Sequence, residues 1–342
     1  MISHKKLLFS ALSAFALAPS MVSATPVLGS DLLSFSILAG EYVATGEGSQ
    51  VTGNVGAVSY ITHAANTSGD GSNYAGGYIV TGANFVGTGT GSNYSGSYIA
   101  TGAGSSSTGS NYAVGYIETG ANSVIDGSNY AGSYITPGAG ATSLSNHANT
   151  SVTFTSPVSS ALSQLTAAQT ALNALNLMPT TTTLAATMSG FQTLNAGVYN
   201  ATALTTAAST TITLDGQGDV NALWLFNIDT YLSTGASTLI NIINSGAGAQ
   251  VIWNTGGYAS FGASTKIIGT VLAGTYIVTG ADTTSGTLLG SGYVTLGANS
   301  KVSCLSCVVA VAAVPEPETY GMMLMGLGLM GFVARRRKNQ QI

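Results

Sequence analysis

Charged side chains are scarce in this sequence. Its 342 residues include 8 Lys and Arg and 12 Asp and Glu, or 6%, where an ordinary soluble domain has roughly 25%. So few cations cannot form a basic patch, which excludes nucleic acid as a partner. Hydrophobic residues make up 45%, and this excludes the usual kind of disorder, which combines low hydrophobicity with high net charge.

Groups suited to catalysis or metal binding are also few. The acids are scattered, and Lys266 and Lys301 are the only bases between the two terminal segments. Hydrolases and lyases need carboxylates or bases that converge in a groove. His63 and His147 are isolated, and we expect them at the surface or at corners of the fold. The sequence therefore predicts a protein that is not an enzyme and has no cofactor and no metal.

Cysteine occurs only as Cys304 and Cys307. No thioredoxin-like pattern surrounds the pair, and a zinc site would need two further ligands nearby. We interpret the pair as a small local disulfide or as two buried thiols.

Glycine, by contrast, is abundant, with 45 residues, and much of it recurs in a repeat. The unit Ser-Asn-Tyr-x-x-x-Tyr-Ile-x-Thr-Gly-Ala begins at Ser72, Ser92, Ser110 and Ser128. Its second tyrosine recurs at steps of about 18 residues at Tyr42, Tyr60, Tyr78, Tyr98, Tyr116 and Tyr134. A related element returns at Tyr231, Tyr258, Tyr276 and Tyr293.

A period of about 18 residues predicts a mainly β fold, a three-sided parallel β-solenoid with one repeat per coil. Neighbouring coils would lie about 4.8 Å apart. Alternation along Tyr-Ile-x-Thr places the isoleucines inward and the tyrosines outward, in a stacked ladder. Recurring glycines would occupy corners that need a positive φ or a close approach.

Residues 150–178 interrupt the repeat and predict one long helix beside the solenoid. Ser156 is a plausible N-cap, Pro157 suits the first helical position, and an apolar stripe continues to about Leu177. A rod of this length spans six to seven coils, enough to cover most of one side. After it, residues 179–309 contain continuous apolar strands in which Trp224 and Trp253 are expected in the core.

Both ends look like targeting segments. Residues 1–24 have the basic start, apolar stretch and small-residue cleavage site of a signal peptide. Residues 314–342 run from Val314, Pro315, Glu316 and Pro317 through a short apolar stretch to a basic tail. This end resembles the PEP-CTERM sorting signal. Without both ends, two lysines face ten carboxylates, a formal charge of −8.

The sorting resemblance implies transient retention in the inner membrane by a short transmembrane helix. It also implies cleavage near Pro315 by an exosortase-type enzyme. The exported product would reach the cell surface or extracellular matrix of a Gram-negative bacterium. A permanent single-span anchor is the alternative.

The order of the remaining segments resembles the ice-binding-like family, a β-solenoid with one lateral helix. The resemblance covers residues 26–58 and 150–304, and it includes Phe35–Gly40, Leu194–Tyr199, Asp215–Asp219, Trp224–Ile228 and Val251–Trp253. Residues 25–58 would form the first part of the solenoid. Residues 59–149 depart from the family as an insertion of extra repeats, so the topology near them is open.

The family resemblance implies adsorption to ice through a flat face with Thr and Asn in successive coils. Threonine suits this role because it combines a methyl and a hydroxyl group on a stiff χ1. The candidates are Thr81, Asn84, Thr101, Thr119, Asn122, Thr234, Thr279 and Asn299. The alternative is structural: alternation from an inward Ile also turns these threonines inward, and Thr-Gly-Ala is then a corner of the solenoid.

A second functional hypothesis is adhesion at the cell surface. The tyrosine ladder would bind exopolysaccharide or neighbouring cells, with sugars stacked on Tyr78, Tyr98, Tyr116 and Tyr134.

Overall fold

The computed structural model describes residues 28–175 and 181–303. In these residues the chain winds through three stacks of parallel strands, here called sides A, B and C. The predicted three-sided parallel β-solenoid is confirmed. Both terminal targeting segments and the cysteine pair lie outside the described residues.

Side A is a parallel sheet of 13 strands. Its strands are β1 (Phe35–Ala39), β4 (Asn54–Ala57), β7 (Asn73–Ala75), β10 (Asn93–Ser95), β13 (Asn111–Ala113), β16 (Asn129–Ala131), β19 (Asn146–His147), β20 (Thr182–Thr183), β23 (Gly197–Ala201), β26 (Leu223–Ile228), β29 (Gln250–Thr255), β31 (Thr270–Ala273) and β34 (Thr287–Gly290).

Side B is a parallel sheet of 12 strands. Its strands are β2 (Tyr42–Thr45), β5 (Tyr60–His63), β8 (Ile79–Thr81), β11 (Ile99–Thr101), β14 (Ile117–Thr119), β17 (Ile135–Pro137), β21 (Thr187–Met188), β24 (Leu204–Thr206), β27 (Leu232–Thr234), β30 (Ala259–Phe261), β32 (Ile277–Thr279) and β35 (Val294–Leu296).

Side C consists of an 8-stranded and a 3-stranded sheet, linked through single-residue bridges at Lys266. The first sheet contains β3 (Gln50–Thr52), β6 (Ser68–Gly69), β9 (Val86–Gly87), β12 (Ser106–Ser107), β15 (Val124–Ile125), β18 (Thr142–Ser143), β33 (Thr284–Ser285) and β36 (Lys301–Ser303). The second contains β22 (Phe191–Asn195), β25 (Thr211–Asp215) and β28 (Leu239–Ile243).

The first and last coils meet in the middle of the solenoid. On side A, β1 pairs with β4 on one side and with β34 on the other. The N-terminal coils therefore stack away from this seam to a free end at β19, whereas the later coils start at the opposite end with β20 and wind back. Residues 59–149, predicted to be an insertion, extend the same three sides in register.

The lateral helix α2 (Val158–Ala174) follows a short helix, α1 (Ser30–Leu33). It buries Val158, Ala161, Leu165, Ala168 and Leu172 against Leu38, Leu225, Ile252, Leu272 and Leu289 of side A. The strands that bear these leucines and isoleucines have both faces covered, which explains their continuous apolar sequence. Trp224 and Trp253 are buried as predicted.

The predicted helix bounds and reach need correction. The helix is 17 residues long, or about 26 Å, so it covers only part of side A. Its first turn starts at Val158 after Pro157, and the Ser156 hydroxyl accepts a hydrogen bond from the Val158 N–H at 3.3 Å. The N-terminal repeats extend side A beyond the helix, which is why one helix cannot cover most of it.

Glycine at the corner between sides B and C is required by close packing of coils. A Cβ on Gly82 would lie 2.5 Å from the carbonyl carbon of Ala64, and one on Gly102 would lie 2.3 Å from that of Gly82. The left-handed residue of this corner comes two positions later, as Asn84 with φ 56°. Thr-Gly-Ala-Asn is therefore the sequence of a solenoid corner.

Pro137 reduces the ability of β17, the edge strand of side B at the free end, to pair with a further strand. In the preceding coil the Ile117 N–H donates to the Tyr134 carbonyl of this last strand. In a parallel ladder the next donor toward a following strand lies two residues later, at Thr119, which is in register with Pro137. Pro137 has no N–H, so the last strand lacks that donor, an arrangement that protects edge strands from pairing.

We therefore expect Pro137→Thr to promote end-to-end association. The restored N–H would allow a second molecule to add to the edge of side B. Sedimentation velocity over a range of concentrations should show more dimer for this variant. Ala139→Thr, a change to the same residue type at an exposed position of the same coil, adds no backbone N–H and is the matched control. Identical sedimentation of both variants would show that the proline does not protect this edge.

Candidate functional site

Side B has a regular outer surface that no helix covers within the described residues. In its strands the isoleucines at Ile79, Ile99 and Ile117 are fully buried, while the tyrosine before each and the residue after it face outward. This alternation was predicted from Tyr-Ile-x-Thr. It yields two parallel rows that run along the solenoid axis.

The first row is a continuous ladder of ten tyrosines. Neighbouring rings lie 4.8–5.1 Å apart between centroids with interplanar angles of 1–10°. Tyr293 stacks on Tyr42, so the ladder crosses the seam between the last and first coils. In spatial order the rungs are Tyr231, Tyr258, Tyr276, Tyr293, Tyr42, Tyr60, Tyr78, Tyr98, Tyr116 and Tyr134.

Stacking raises the pKa of three phenol groups in the ladder, those of Tyr42, Tyr98 and Tyr116. Burial between neighbouring rings, followed by the charge of adjacent phenolates, raises the pKa of Tyr42 and Tyr98 above the usual value. The same causes, with Glu118 beside it, raise the pKa of Tyr116. The row presents a line of phenol hydroxyl groups at the spacing of the strands.

The second row consists of small outward residues between the tyrosines and the corner. Register along side B places them in one column. In spatial order they are Thr187, Thr205, Ser233, Ser260, Val278, Thr295, Ala44, Thr62, Val80, Ala100, Glu118 and Thr136. Glu118 is the only charged residue in the strands of side B, so this surface is almost neutral.

The threonines expected to contact ice do not belong to this surface. Thr81, Thr119, Thr234 and Thr279 are 2%, 7%, 7% and 4% exposed, and Thr101 is only partly exposed. A buried side chain cannot contact a crystal, so the proposed Thr face is wrong for these four residues. The alternative, an inward corner threonine, agrees with the structure.

These inward threonines hold the corners together. The Gly262 N–H donates to Oγ1 of Thr234 at 3.1 Å, and the Gly297 N–H donates to Oγ1 of Thr279 at 3.0 Å. In the same way Thr101 and Thr119 accept from the corner glycines of the following coils. The hydroxyls of these four threonines thus each satisfy a backbone donor of the next coil, as buried polar groups generally require. The buried Oγ1 of Thr81 has no such partner.

The predicted asparagines are exposed, but they lie at the corner between sides B and C. Asn84, Asn122 and Asn299 adopt φ of 55–56°, a left-handed conformation that asparagine tolerates better than most residues. The Asn84 amide donates to Oδ1 of Asn66 at 3.1 Å. The corner conformation accounts for these residues without a ligand.

The sugar-stacking hypothesis also needs correction. Tyr78, Tyr98 and Tyr116 each stack against a tyrosine on both ring faces, so no sugar can stack there. Tyr134, the last rung at the free end, is 47% exposed and is stacked on one face only among the described residues. What the ladder presents along its length is ring edges and hydroxyl groups.

Two further rows of side chains were not predicted from the sequence. A buried amide ladder fills the interior of the N-terminal coils, where each Nδ2 donates to the next Oδ1 at 2.7–2.8 Å along Asn73, Asn93, Asn111, Asn129 and Asn146. A second aromatic ladder lies on the outside of side A and stacks Tyr74, Tyr94, Tyr112, Tyr130 and His147. The Asn-Tyr pair of the repeat was the available signal, because adjacent strand residues face opposite sides.

His63 begins the amide ladder in the interior. Its Nε2 lies 3.2 Å from Oδ1 of Asn73, and its Nδ1 lies 3.2 Å from Oγ1 of Thr45. The expectation of a surface or corner position is therefore wrong for His63, although His147 is exposed. Burial lowers the pKa of His63 from 6.5 to about 4, against the opposing effect of the Asn73 hydrogen bond.

Comparisons with known proteins agree with this architecture. A profile of the family described as ice-binding-like matches residues 79–302, about two thirds of the chain. The chain belongs to the ice-binding-like family. The profile of the PEP-CTERM protein-sorting motif matches residues 313–338, beyond the described residues.

Two curated relatives share 35% identity with the chain. The match to an ice-binding protein of Nostoc sp. (strain HG1) covers 44% of this chain and 56% of that protein. The match to ice-binding protein 1 of Shewanella frigidimarina covers 32% of this chain and 13% of that protein. The chain thus spans about half the length of the first relative and much less of the second.

One solved structure aligns with most of the chain. The DUF3494 domain of Shewanella frigidimarina ice-binding protein 1 aligns at a TM-score of 0.49 and 23% identity, over 82% of this chain and 97% of that domain.

Neither helix in the described residues has the length and hydrophobicity that a membrane span requires. The same residues contain no group of three or more His, Cys, Asp or Glu that could hold a metal ion.

The position of His63 predicts loss of stability in mild acid. The folded protein keeps this imidazole neutral down to about pH 4, whereas the unfolded chain takes up a proton below about pH 6.5. The contribution of the neutral His63 to stability is therefore fully present above pH 6.5, and it is lost as the pH falls toward 4. From pH 7 to pH 5 the free energy of unfolding should decrease by roughly 2 kcal/mol.

Urea unfolding at pH 7, 6 and 5 tests this expectation, because most carboxylates stay ionised in this range. His63→Gln keeps an amide donor for Asn73 but does not titrate, so its stability should be nearly independent of pH over the same range. His147→Gln is the control and should retain the pH dependence. An unchanged slope in His63→Gln would rule out His63 as its source.

Proposed function

We propose that this protein adsorbs to ice through the outer surface of side B and acts without catalysis. The supporting observation is the pair of rows on that surface, ten stacked phenols beside a column of mainly small residues in 12 parallel strands. Their spacing is set by the backbone ladder. Family membership and the names of the two curated relatives support ice as the ligand.

The chemistry of side B suits a crystal of water. Binding a crystal requires a rigid array whose groups repeat at a fixed spacing, so that many weak contacts form at once. Stacked rings and short Thr, Ser and Ala side chains lose little conformational entropy when they bind. A surface with one carboxylate in its strands also holds few strongly bound waters that adsorption would have to remove.

Sides A and C are less suited to this role. Side A is covered by α2 over β1, β26, β29, β31 and β34. Side C is interrupted at Lys266, where single-residue bridges replace a strand, and it carries Lys301 beside that interruption. Beyond α2, side A has only the shorter ladder from Tyr74 to His147, half the length of the one on side B.

We further infer that the sorting motif directs this protein out of the cell, to the cell surface or matrix, where ice would be met. Cleavage by an exosortase-type enzyme near Val314–Pro317 would release it after transient membrane association. Adhesion to exopolysaccharide receives less support, because the ring faces of the ladder are occupied.

Bulky charged substitutions on side B should abolish ice activity. Thr205→Lys, Ser233→Lys and Ser260→Lys change three successive residues of the outward column to long, hydrated side chains that hold ice away from the surface. The mature chain with all three changes should lose inhibition of ice recrystallisation while its circular dichroism spectrum is unchanged.

The control places the same three charges on side C, as Thr52→Lys, Thr88→Lys and Thr142→Lys at exposed positions. This variant should remain as active as the unmodified chain. Loss of activity in the control alone would move the site to side C, and an inactive unmodified chain would refute ice binding altogether.

Removal of the one carboxylate should have the opposite effect. Glu118→Thr makes the column uniform with Thr62 and Thr136 and removes a strongly hydrated group from the surface. We expect recrystallisation to be inhibited at a lower protein concentration, by about twofold or more. Asp126→Thr removes an equal charge outside side B and should have no effect; equal activity of the two variants would contradict the role of side B.

A further inference from the structure

The N-terminal repeats form an arm that can change in length without disturbing the remaining coils. Because the seam joins β1 to β34, the coils after β1 stack outward to a free end at β17, β18 and β19. In the strand order of the three sides, no strand of the C-terminal coils pairs with that end. A coil added or removed in the arm therefore leaves the seam and the C-terminal coils in place.

Two successive coils of the arm are equivalent in their strand pairing and in the rows that they extend. Residues 92–109 and 110–127 pair in register on all three sides. Each contributes one rung to the phenol ladder, with Tyr98 and Tyr116 4.9 Å apart, and one amide to the interior ladder, with Asn93 donating to Asn111 at 2.8 Å. Removal of residues 92–109 would bring Asn73 to Asn111 and Tyr78 to Tyr116 in the same geometry.

The return strap, residues 150–157, limits how far the arm can extend. The strap begins at Thr150, whose N–H donates to the Ala131 carbonyl at 3.0 Å. Its Phe154 ring then stacks on the ring of Tyr94. The strap ends at Val158, which lies against Gly56. Because Thr150 stacks on Ala131 of β16, the strap starts at the level of β19. From β19 to β4 is five strand spacings, or about 24 Å, and eight residues reach at most about 29 Å. The strap therefore has about one strand spacing to spare.

We propose that the arm sets the length of the ice-contacting surface, with each 18-residue coil acting as an interchangeable unit. This inference rests on the proposed function of side B. The arm supplies β5, β8, β11, β14 and β17, five of the 12 strands of side B, or about 24 Å of its length. Each rung adds contacts, while the loss of translational and rotational freedom occurs once per molecule. Adsorption should therefore strengthen with each coil.

Three chains that differ by one coil test this inference. The first lacks residues 92–109, the second is unmodified, and the third carries a second copy of residues 92–109 after Gly109, with two serines added to the strap so that it reaches. The coil of residues 92–109 contains no charged side chain, so the net charge of the three chains is the same. The readout is the lowest concentration that inhibits ice recrystallisation.

We expect the lowest inhibitory concentration to rise about twofold or more without the coil and to fall by a similar factor with the added coil. The longer chain is the decisive variant, because misfolding cannot increase activity. A fourth chain, with the tyrosine equivalent to Tyr98 changed to Ser in the added copy, separates phenol contacts from length and should gain less.

The outcomes distinguish the two proposals. An unmodified chain without ice activity refutes the function proposed for side B. An active unmodified chain whose activity is the same with one coil fewer and one coil more overturns the role of the arm alone. Circular dichroism and thermal unfolding of each chain confirm that the coils are folded.

Discussion

The parallel hydrogen-bond ladder between successive coils is the constraint on which the rest of this structure depends. It places equivalent residues of neighbouring coils about 4.8 Å apart, so that one residue type repeated in the sequence becomes a row in space. The phenol ladder, the outward column, the buried amides and the corner glycines are all rows of this kind. An error of one residue in register would reverse inward and outward positions along a strand and disrupt them together.

The interior of the N-terminal coils combines isoleucines with many polar side chains, which is unusual for a core. Its asparagines, threonines and His63 are buried, yet each amide finds a partner in the next coil. Buried polar groups of this kind favour a single register, because a shifted coil would leave amides unpaired at a cost of about 1–3 kcal/mol each. Polar side chains therefore contribute to the specificity of stacking, while the large apolar residues gather in the C-terminal coils and beneath α2.

Much of this architecture could be predicted from spacing. The period of 18 residues, the inward isoleucines, the outward tyrosines, the buried Trp224 and Trp253 and the existence of α2 all follow from local pattern. The inward direction of Thr234 depended on whether a buried hydroxyl finds a donor, and that donor is the Gly262 N–H of the next coil, far away in sequence. His63 takes the position of the inward threonine in one coil only. Because no other coil repeats this histidine, its buried position could not be predicted from the repeat.

The seam has a consequence for how this chain acquires its structure. Ile37 pairs with Leu288, and residues so far apart in sequence form contacts slowly because a long loop must close first. During synthesis the early coils can stack on one another as soon as they emerge, since each needs only its neighbour. The junction must wait until the final coil exists. The centre of the finished molecule is thus assembled last, and its free tips belong to the middle of the polypeptide.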